Sequence, residues 1–304
     1  MTIFDRLESR HCPVCGAGTG NAVTFLKQSF DRTRLSDFTY ASRKIPEFMS
    51  FELVTCGSCD TVYASSAPPP QVLARAYHEA QYDSAEEAKL AAATYEKALS
   101  PYLATLPSFR RALEIGTGTG VFLSVLKRAG FAEVIGVEPS RAAIDAADPQ
   151  VRSFIREGVF VENDFEAESF DLICCFQTLE HVPEPRQLVE SCARLLCKGG
   201  LLAIVAHDYR APINRALGRR SPIIDIEHLQ LFCHPSLNRL LSTAGLEIVC
   251  IHSISNHYPL RYWLRLTPLP AGLKSAAIRV LSACGAAEFR IKVNVGNLIS
   301  IGRK

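Results

Sequence analysis

From residue 112 onward the chain alternates short apolar runs with longer amphipathic stretches, the pattern expected of a parallel sheet covered by helices. Seven runs read as strands: 112–115, 134–137, 151–156, 170–176, 201–206, 248–254 and 298–302. Between them, 121–129, 141–146, 186–196 and 235–244 read as helices, the last stopping at Gly245, where a left-handed C-cap fits. The fold class this predicts is α/β, a seven-stranded and mostly parallel sheet with helices on both faces. Upstream the pattern changes twice. Residues 71–106 are rich in Ala, Glu, Lys and Leu and read as helical, with Tyr77, Tyr82 and Tyr95 spaced through them. Residues 10–66 are turn-rich, with short alternating segments such as 51–54. Pro68-Pro69-Pro70 and Pro107 punctuate these changes, so three units are expected: 1–66, a helical connector at 67–107, and a main domain at 108–304. There is no internal repeat.

A chain of 304 residues, 48% hydrophobic and 21% charged, can bury a full core. Its mean hydropathy is +0.09 and no apolar run approaches the ~20 residues that cross a bilayer, so a spanning membrane protein is excluded. Residues 1–11 lack the apolar stretch of a secretory signal, which makes the cytoplasm the expected compartment. Net charge is +2, giving no overall footprint for nucleic acid. The sum conceals an asymmetry: residues 256–304 hold eight Lys/Arg against Glu288 alone, a net of +7.

The most informative stretch is Ala112-Leu113-Glu114-Ile115-Gly116-Thr117-Gly118-Thr119-Gly120-Val121. An apolar strand enters a three-glycine turn and leaves as a helix, letting backbone N–H groups approach a ligand closely. Eighteen residues beyond Gly120, Glu138 ends the next apolar run, where a carboxylate accepts hydrogen bonds from ribose hydroxyls in dinucleotide-binding folds. The dinucleotide fingerprint itself fits poorly, because Val121 stands where it reserves Gly or Ala. Glu114 would repel a pyrophosphate and attract an ammonium group, which favours an amino-acid-bearing nucleoside.

The turn resembles the first motif of the class I S-adenosylmethionine-dependent methyltransferases, acid-x-Gly-x-Gly-x-Gly. Further motifs follow in order: Ser169-Phe170-Asp171-Leu172-Ile173, Leu179-Glu180-His181-Val182 with Pro185, and Leu195-Leu196-Cys197-Lys198-Gly199-Gly200-Leu201-Leu202. A weaker match covers Glu227-His228-Leu229, Phe232, Leu240-Leu241 and Ala244-Gly245-Leu246. The resemblance implies a Rossmann-like sheet and a methyl transfer from S-adenosylmethionine. It implies that Gly116, Thr117, Gly118 and Gly120 approach the methionine end of the cofactor, that Glu138 holds the ribose and that Pro139 packs near the adenosine, with Glu114 and Gln177 as further contacts. Tyr82 and Tyr95 are positioned either to close over the cofactor or to pack as a helix face.

Methyl transfer to a hydroxyl or an acidic carbon requires a general base, usually histidine. His181 is the leading candidate because it follows the fourth strand, at the rim where open α/β folds bind ligands. Glu180 either orients it or faces the cofactor, and both residues equally suit a role in buttressing the loop. His207, beside Asp208, and His228 are the next candidates to line an acceptor pocket.

Eleven cysteines are many for a reducing compartment, where clusters bind metal more often than they form disulfides. Cys12/Cys15 and Cys56/Cys59 have the gap that places two thiolates on one metal, and a four-cysteine structural zinc site is the expectation. A thioredoxin-like redox pair fits two turn-rich pairs badly. The remaining seven, Cys174, Cys175, Cys192, Cys197, Cys233, Cys250 and Cys284, are expected to pack in the core. The zinc-ribbon-like segment also resembles N-terminal elements of bacterial methyltransferases, including those acting on nucleotide-linked sugars. An insert at 256–295, basic and aromatic, is open to three uses: anionic substrate binding, peripheral membrane contact, or a homodimer interface. The function expected is methylation of a small molecule, a sugar-nucleotide or other biosynthetic intermediate. The alternative is a non-catalytic zinc-ribbon adaptor that senses a nucleoside.

Overall fold

A computed structural model describes residues 7–36, 38–41, 47–82, 84–267 and 269–304; residues 1–6, part of the stretch read for a signal segment, lie outside the described residues. The N-terminal part opens with β1 (Glu8–Ser9), β2 (Ala22–Leu26), β3 (Leu53–Cys56), β4 (Val62–Ala64) and β5 (Ser66–Ala67). Two helices follow, α1 (Pro70–Glu79) and α2 (Ala85–Leu103), where the Ala-rich connector is read as helical. Then come β6 (Arg111–Ile115), α3 (Val121–Arg128), β7 (Glu133–Glu138), α4 (Arg141–Asp145), α5 (Pro149–Arg152) and β8 (Ile155–Glu157). They are followed by β9 (Phe170–Phe176), α6 (Pro185–Leu195), β10 (Leu196–His207), α7 (Pro212–Leu217), β11 (Gln230–Leu231) and α8 (His234–Thr243). The chain ends with β12 (Glu247–Pro259), α9 (Leu260–Leu266), α10 (Ala271–Ala283) and β13 (Arg290–Arg303).

The main sheet has seven strands in the order β12-β13-β10-β9-β6-β7-β8, with β13 antiparallel to both neighbours and the other central pairs parallel. This is the α/β architecture anticipated from the alternating pattern, in the Rossmann-like form that the resemblance implies. Consecutive strand residues face opposite layers. Leu113, Ile115, Ile173, Cys175, Leu202 and Ile204 pack against α6 and α8, while Ala112, Leu172, Cys174, Leu201, Ala203 and Val205 pack against α2 and α3. Asp171 ties the sheet's entrance together: its buried carboxylate accepts from Ser108 Oγ at 2.5 Å and from the N–H groups of Arg110 and Arg111 at 2.8 and 3.1 Å.

Three sequence expectations change. The run 151–156 is not one strand, because Asp148 caps a short helix through the Gln150 N–H and Pro149 opens it, so only Ile155–Glu157 joins the sheet. The insert expected at 256–295 is shorter at both ends, spanning 260–289. The last two strands extend through Pro259 and from Arg290, and only α9 and α10 sit at the turn of that long hairpin. The seven remaining cysteines do not all pack: Cys250 is half-buried and Cys284 is exposed on the last turn of the hairpin helices. Gly245 does terminate α8 with φ +76°, as its position suggests.

The N-terminal strands form a four-stranded antiparallel sheet completed from far along the chain, in the order β11-β4-β3-β2. Met49, Phe51, Leu53 and Val62 share a core with Leu73, Tyr209, Ile223, Ile226 and Leu231. Too small to bury its own apolar surface, this segment uses residues 209–231 as its second layer.

Candidate functional site

The glycine turn lies between β6 and α3, at the carboxyl ends of the strands. Gly116, Gly118 and Gly120 all have positive φ, +74°, +56° and +70°, which side-chain-bearing residues adopt only with strain. Their surroundings differ. A Cβ at Gly116 would collide with Thr178 Oγ1, so this glycine admits the β9 rim against the turn. A Cβ at Gly120 would sit 2.8 Å from Val151 Cγ1, and Gly120 packs against α5 and does not line the cleft. At Gly118 there is nothing within 4 Å, and that open side belongs to a cleft of about 1250 Å³.

Two buried carboxylates flank the turn. Glu138 ends β7 and accepts the Gly118 N–H at 2.7 Å and the Ser140 N–H at 2.9 Å, one on each oxygen. Each oxygen retains a second lone pair for a ligand hydroxyl. Burial pushes its pKa up, against those two hydrogen bonds. Glu114 accepts from Thr117 Oγ1, and burial raises its pKa to about 8, with the Glu138 charge adding to the rise. Pro139 and Gln177 also line the cleft, Gln177 at φ +51° with Nε2 donating to Asn297 Oδ1 at 3.2 Å. Among the described residues, Thr119 Oγ1, Gln177 Oε1 and Tyr82 Oη are buried there without a hydrogen-bond partner. Such capacity is costly unless a ligand uses it. Open space at Gly118, hydroxyl acceptors on Glu138 and a cation-seeking Glu114 fit S-adenosylmethionine.

The opposite wall gathers residues distant in sequence. His181 Nδ1 lies 3.3 Å from Tyr77 Oη, 3.2 Å from the Glu227 carbonyl oxygen and 3.8 Å from Glu227 Oε2. Its ring is 4.9 Å from that of His228, which is 5.4 Å from that of His207. His228 Nδ1 donates to the Ile223 carbonyl at 2.8 Å, which leaves its Nε2 as an acceptor. Tyr77 and Glu227 are the residues that sequence reasoning missed as site members; Glu227 enters there only within the family match, and Tyr77 as one tyrosine of a helical stretch, whereas His228 is a candidate pocket residue from the start.

Two residues sit differently from expectation. Glu180 is fully buried and does not line the cleft; its Oε1 accepts the His207 N–H at 2.6 Å, Oε2 has no hydrogen-bond partner among the described residues, and burial raises its pKa to about 7. His207 is paired not with Asp208 but with Asn297, whose Oδ1 is 3.0 Å from Nδ1, and burial lowers its pKa to about 4. Asp208 instead accepts the Arg210 N–H at 2.8 Å.

The sulfurs of Cys12, Cys15, Cys56 and Cys59 lie within 4.8 Å of one another. Both pairs make the same knuckle, with Gly16 N–H on the Cys12 carbonyl and Asp60 N–H on the Cys56 carbonyl, and Gly16 and Asp60 both at positive φ. The segment around them reaches the site. β4 pairs with β11, and Gln230 at its start donates through Nε2 to the carbonyls of Leu179 and Val182. Arg10 adds donations to the Pro183 carbonyl at 2.7 Å and to Gln230 Oε1 at 3.0 Å. These bonds fix the loop carrying Glu227 and His228 against the loop carrying His181.

A seven-stranded sheet in this order, with a glycine turn, a terminal carboxylate on the neighbouring strand and a deep cleft over both, defines a class I S-adenosylmethionine-dependent methyltransferase. The chain belongs to the methyltransferase domain family, whose profile matches residues 77–251, more than half of its length. It is similar to the ubiquinone biosynthesis O-methyltransferase of Coxiella burnetii, 30% identical over 161 residues, which cover 49% of this chain and 68% of the relative. The protein of the same name from Paracidovorax citrulli is 29% identical over 163 residues, 45% of this chain and 67% of the relative. Among solved structures, a possible histamine N-methyltransferase from Thermotoga maritima aligns at 23% identity and TM-score 0.47, covering 71% of this chain and 90% of that one. The chain is therefore an S-adenosylmethionine-dependent methyltransferase acting on a small molecule, and the adaptor alternative falls. No described helix is long and apolar enough to cross a membrane.

Proposed function

We propose that the protein methylates a hydroxyl or acidic carbon of a small biosynthetic intermediate, a sugar-nucleotide in the first instance, with His181 taking the proton. The observation that carries this reading is the convergence of His181, Tyr77, Glu227 and His228 on the wall facing the glycine turn. Bound S-adenosylmethionine supplies a methyl already activated on sulfur, which leaves the protein to align the acceptor, exclude water and accept a proton. Gly116, Thr117 and Gly118 hold the cofactor's methionine end, Gly120 closes the turn behind them, Glu138 holds the ribose, and Pro139 and Gln177 complete the seat. Glu114 faces the ammonium.

His181 Nδ1–H donates to the Glu227 carbonyl, so Nε2 presents the lone pair, and the Glu227 carboxylate opposes the positive charge the ring acquires. His207 suits the role less. With its pKa near 4 it stays neutral, and it orients Asn297 instead. Glu180 serves by fixing the His207 backbone. Tyr258, Tyr262 and Trp263 also line the cleft, which suits a planar acceptor and supports a second reading, O-methylation of a phenolic hydroxyl as the names of the relatives suggest.

The cysteine cluster is proposed as a structural zinc site. Sulfurs at ~2.3 Å from a tetrahedral zinc are about 3.8 Å apart, and Cys12–Cys59 and Cys15–Cys56 stand at 3.5 and 3.6 Å. The test of the whole reading is calorimetry with S-adenosylmethionine and NAD, followed by a search for a methylated product with nucleotide-sugar and phenolic acceptors. Preferential binding of NAD would sink the cofactor seat. Unchanged turnover in His181→Ala, with a confirmed acceptor, would remove the base.

A further inference from the structure

The hairpin tip departs from the rest of the molecule. On α10, Leu273 and Val280 are 60% and 66% exposed, and Leu269 just before the helix is 46% exposed. Positions seven apart share a helix face, so Leu273 and Val280 form one solvent-facing apolar stripe, with Cys284 exposed at its end. The helix contains no acidic residue. At about 100° per residue, Lys274 and Arg279 lie roughly 110° to either side of the stripe; Lys274 Nζ is turned to the Arg265 carbonyl at 2.8 Å, which leaves Arg279 as the exposed cation of the helix. Phe289, 65% exposed, adds apolar surface at the entry to β13, followed by the exposed Arg290 and Lys292. Among the described residues, no carboxylate pairs with Arg279, Arg290 or Lys292. The hairpin's acidic residue, Glu288, is held by Arg261 Nε at 2.5 Å.

We propose that the α9–α10 hairpin is a docking surface for an anionic lipid bilayer. An apolar stripe flanked by cations is what an interfacial helix presents: the apolar side chains enter the acyl boundary while Lys and Arg reach the headgroups. Charge complementarity selects this occupant. A second copy would set an unneutralised cationic rim against an identical one. The neighbouring helix of the same hairpin borders the cleft, which Tyr262, Trp263 and Leu266 of α9 line. The docking stands independently of the acceptor assigned above.

The test is co-sedimentation of the full chain with vesicles of phosphatidylcholine alone and of phosphatidylcholine enriched in phosphatidylglycerol. Binding to the anionic vesicles is expected, weakening with salt, and falling at least about tenfold in the double variant Leu273→Glu/Val280→Glu. Neither residue lines the cleft, so S-adenosylmethionine binding by calorimetry serves as the folding control. A second variant, Arg290→Gln/Lys292→Gln, should lose the preference for anionic lipid. Absence of wild-type binding overturns the proposal, as does equal binding to neutral vesicles or unchanged binding of the Leu273/Val280 variant. A concentration-dependent dimer abolished by that variant, without lipid binding, would assign the stripe to a second copy and overturn it as well.

Discussion

Glu114 offers the sharpest test of the cofactor seat, because its burial couples stability to pH. Its side chain is 4% exposed, its one described hydrogen bond comes from Thr117, and its pKa stands at about 8 against an ordinary 4.5. A carboxyl raised in the folded state binds a proton more tightly there than when unfolded. The stability it contributes is full below pH 4.5 and is lost as pH rises through 8. At 1.36 kcal/mol per pH unit the whole window amounts to roughly 5 kcal/mol. The useful part is pH 6.5 to 8. Below 6.5 the buried His207, lowered to about 4, makes stability rise with pH and masks the effect. Above it, titrating Glu114 alone removes about 1.5 kcal/mol by pH 8. Glu180, at about 7, adds to the wild-type slope but is common to the comparison.

The perturbation is Glu114→Gln, close in shape and unable to ionise. Urea unfolding of both proteins at pH 6.5 and 8, with equal m-values as the condition for comparison, should show the variant gaining about 1.5 kcal/mol on the wild type across that interval. Saturating S-adenosylmethionine should shrink the difference, because a bound ammonium favours the ionised Glu114, and the variant should bind the cofactor more weakly at pH 8. Parallel pH dependences of the two proteins would refute the burial argument. Equal affinities at pH 8 would refute the ammonium contact.

Three further outcomes are expected. Gly116→Ala meets both a positive φ, costing about 1–2 kcal/mol, and the Thr178 side chain, so it should lower the melting temperature and abolish cofactor binding; Gly118→Ala, with open space around it, should show only the strain in a thermal scan of the free protein but weaken cofactor binding in calorimetry, because its methyl enters the cleft. Cys12→Ser should lose its metal by elemental analysis and lose turnover more than cofactor affinity in calorimetry, because the cysteine segment holds the Glu227-His228 loop and not the glycine turn. Trp263, the sole tryptophan, stacks on Tyr258 at a 5.2 Å centroid distance beside the cleft, so acceptor binding should change its fluorescence, and Trp263→Phe should abolish that signal while preserving cofactor binding by calorimetry.

The half of the site made of backbone was legible from sequence, and the half made of converging side chains was not, for a physical reason. A glycine turn and the carboxylate of the next strand are separated by one βα unit, so their spacing encodes their proximity. Gly118 and Glu138 indeed meet through a 2.7 Å hydrogen bond. His181, Tyr77 and Glu227 come from three separate loops and helices, and their meeting depends on how the N-terminal sheet captures residues 230–231 as a fourth strand. A two-residue strand carries no periodic signal. The same holds for Asn297, whose role next to His207 and Gln177 follows from β13 lying antiparallel beside β10, a long-range pairing that local pattern does not reveal. The ends of the long hairpin are equally silent: Asn256 and Tyr258 are buried around an exposed His257, the period-two burial of a strand, but a buried asparagine beside an exposed histidine gives no apolar alternation in the sequence. The wall facing the glycine turn is thus built from contacts between distant segments. The cysteine cluster, far from the methyl-transfer chemistry in sequence, is tied to it in space through Arg10, β4 and Gln230. Metal loss should therefore register on the acceptor wall before it registers on the cofactor.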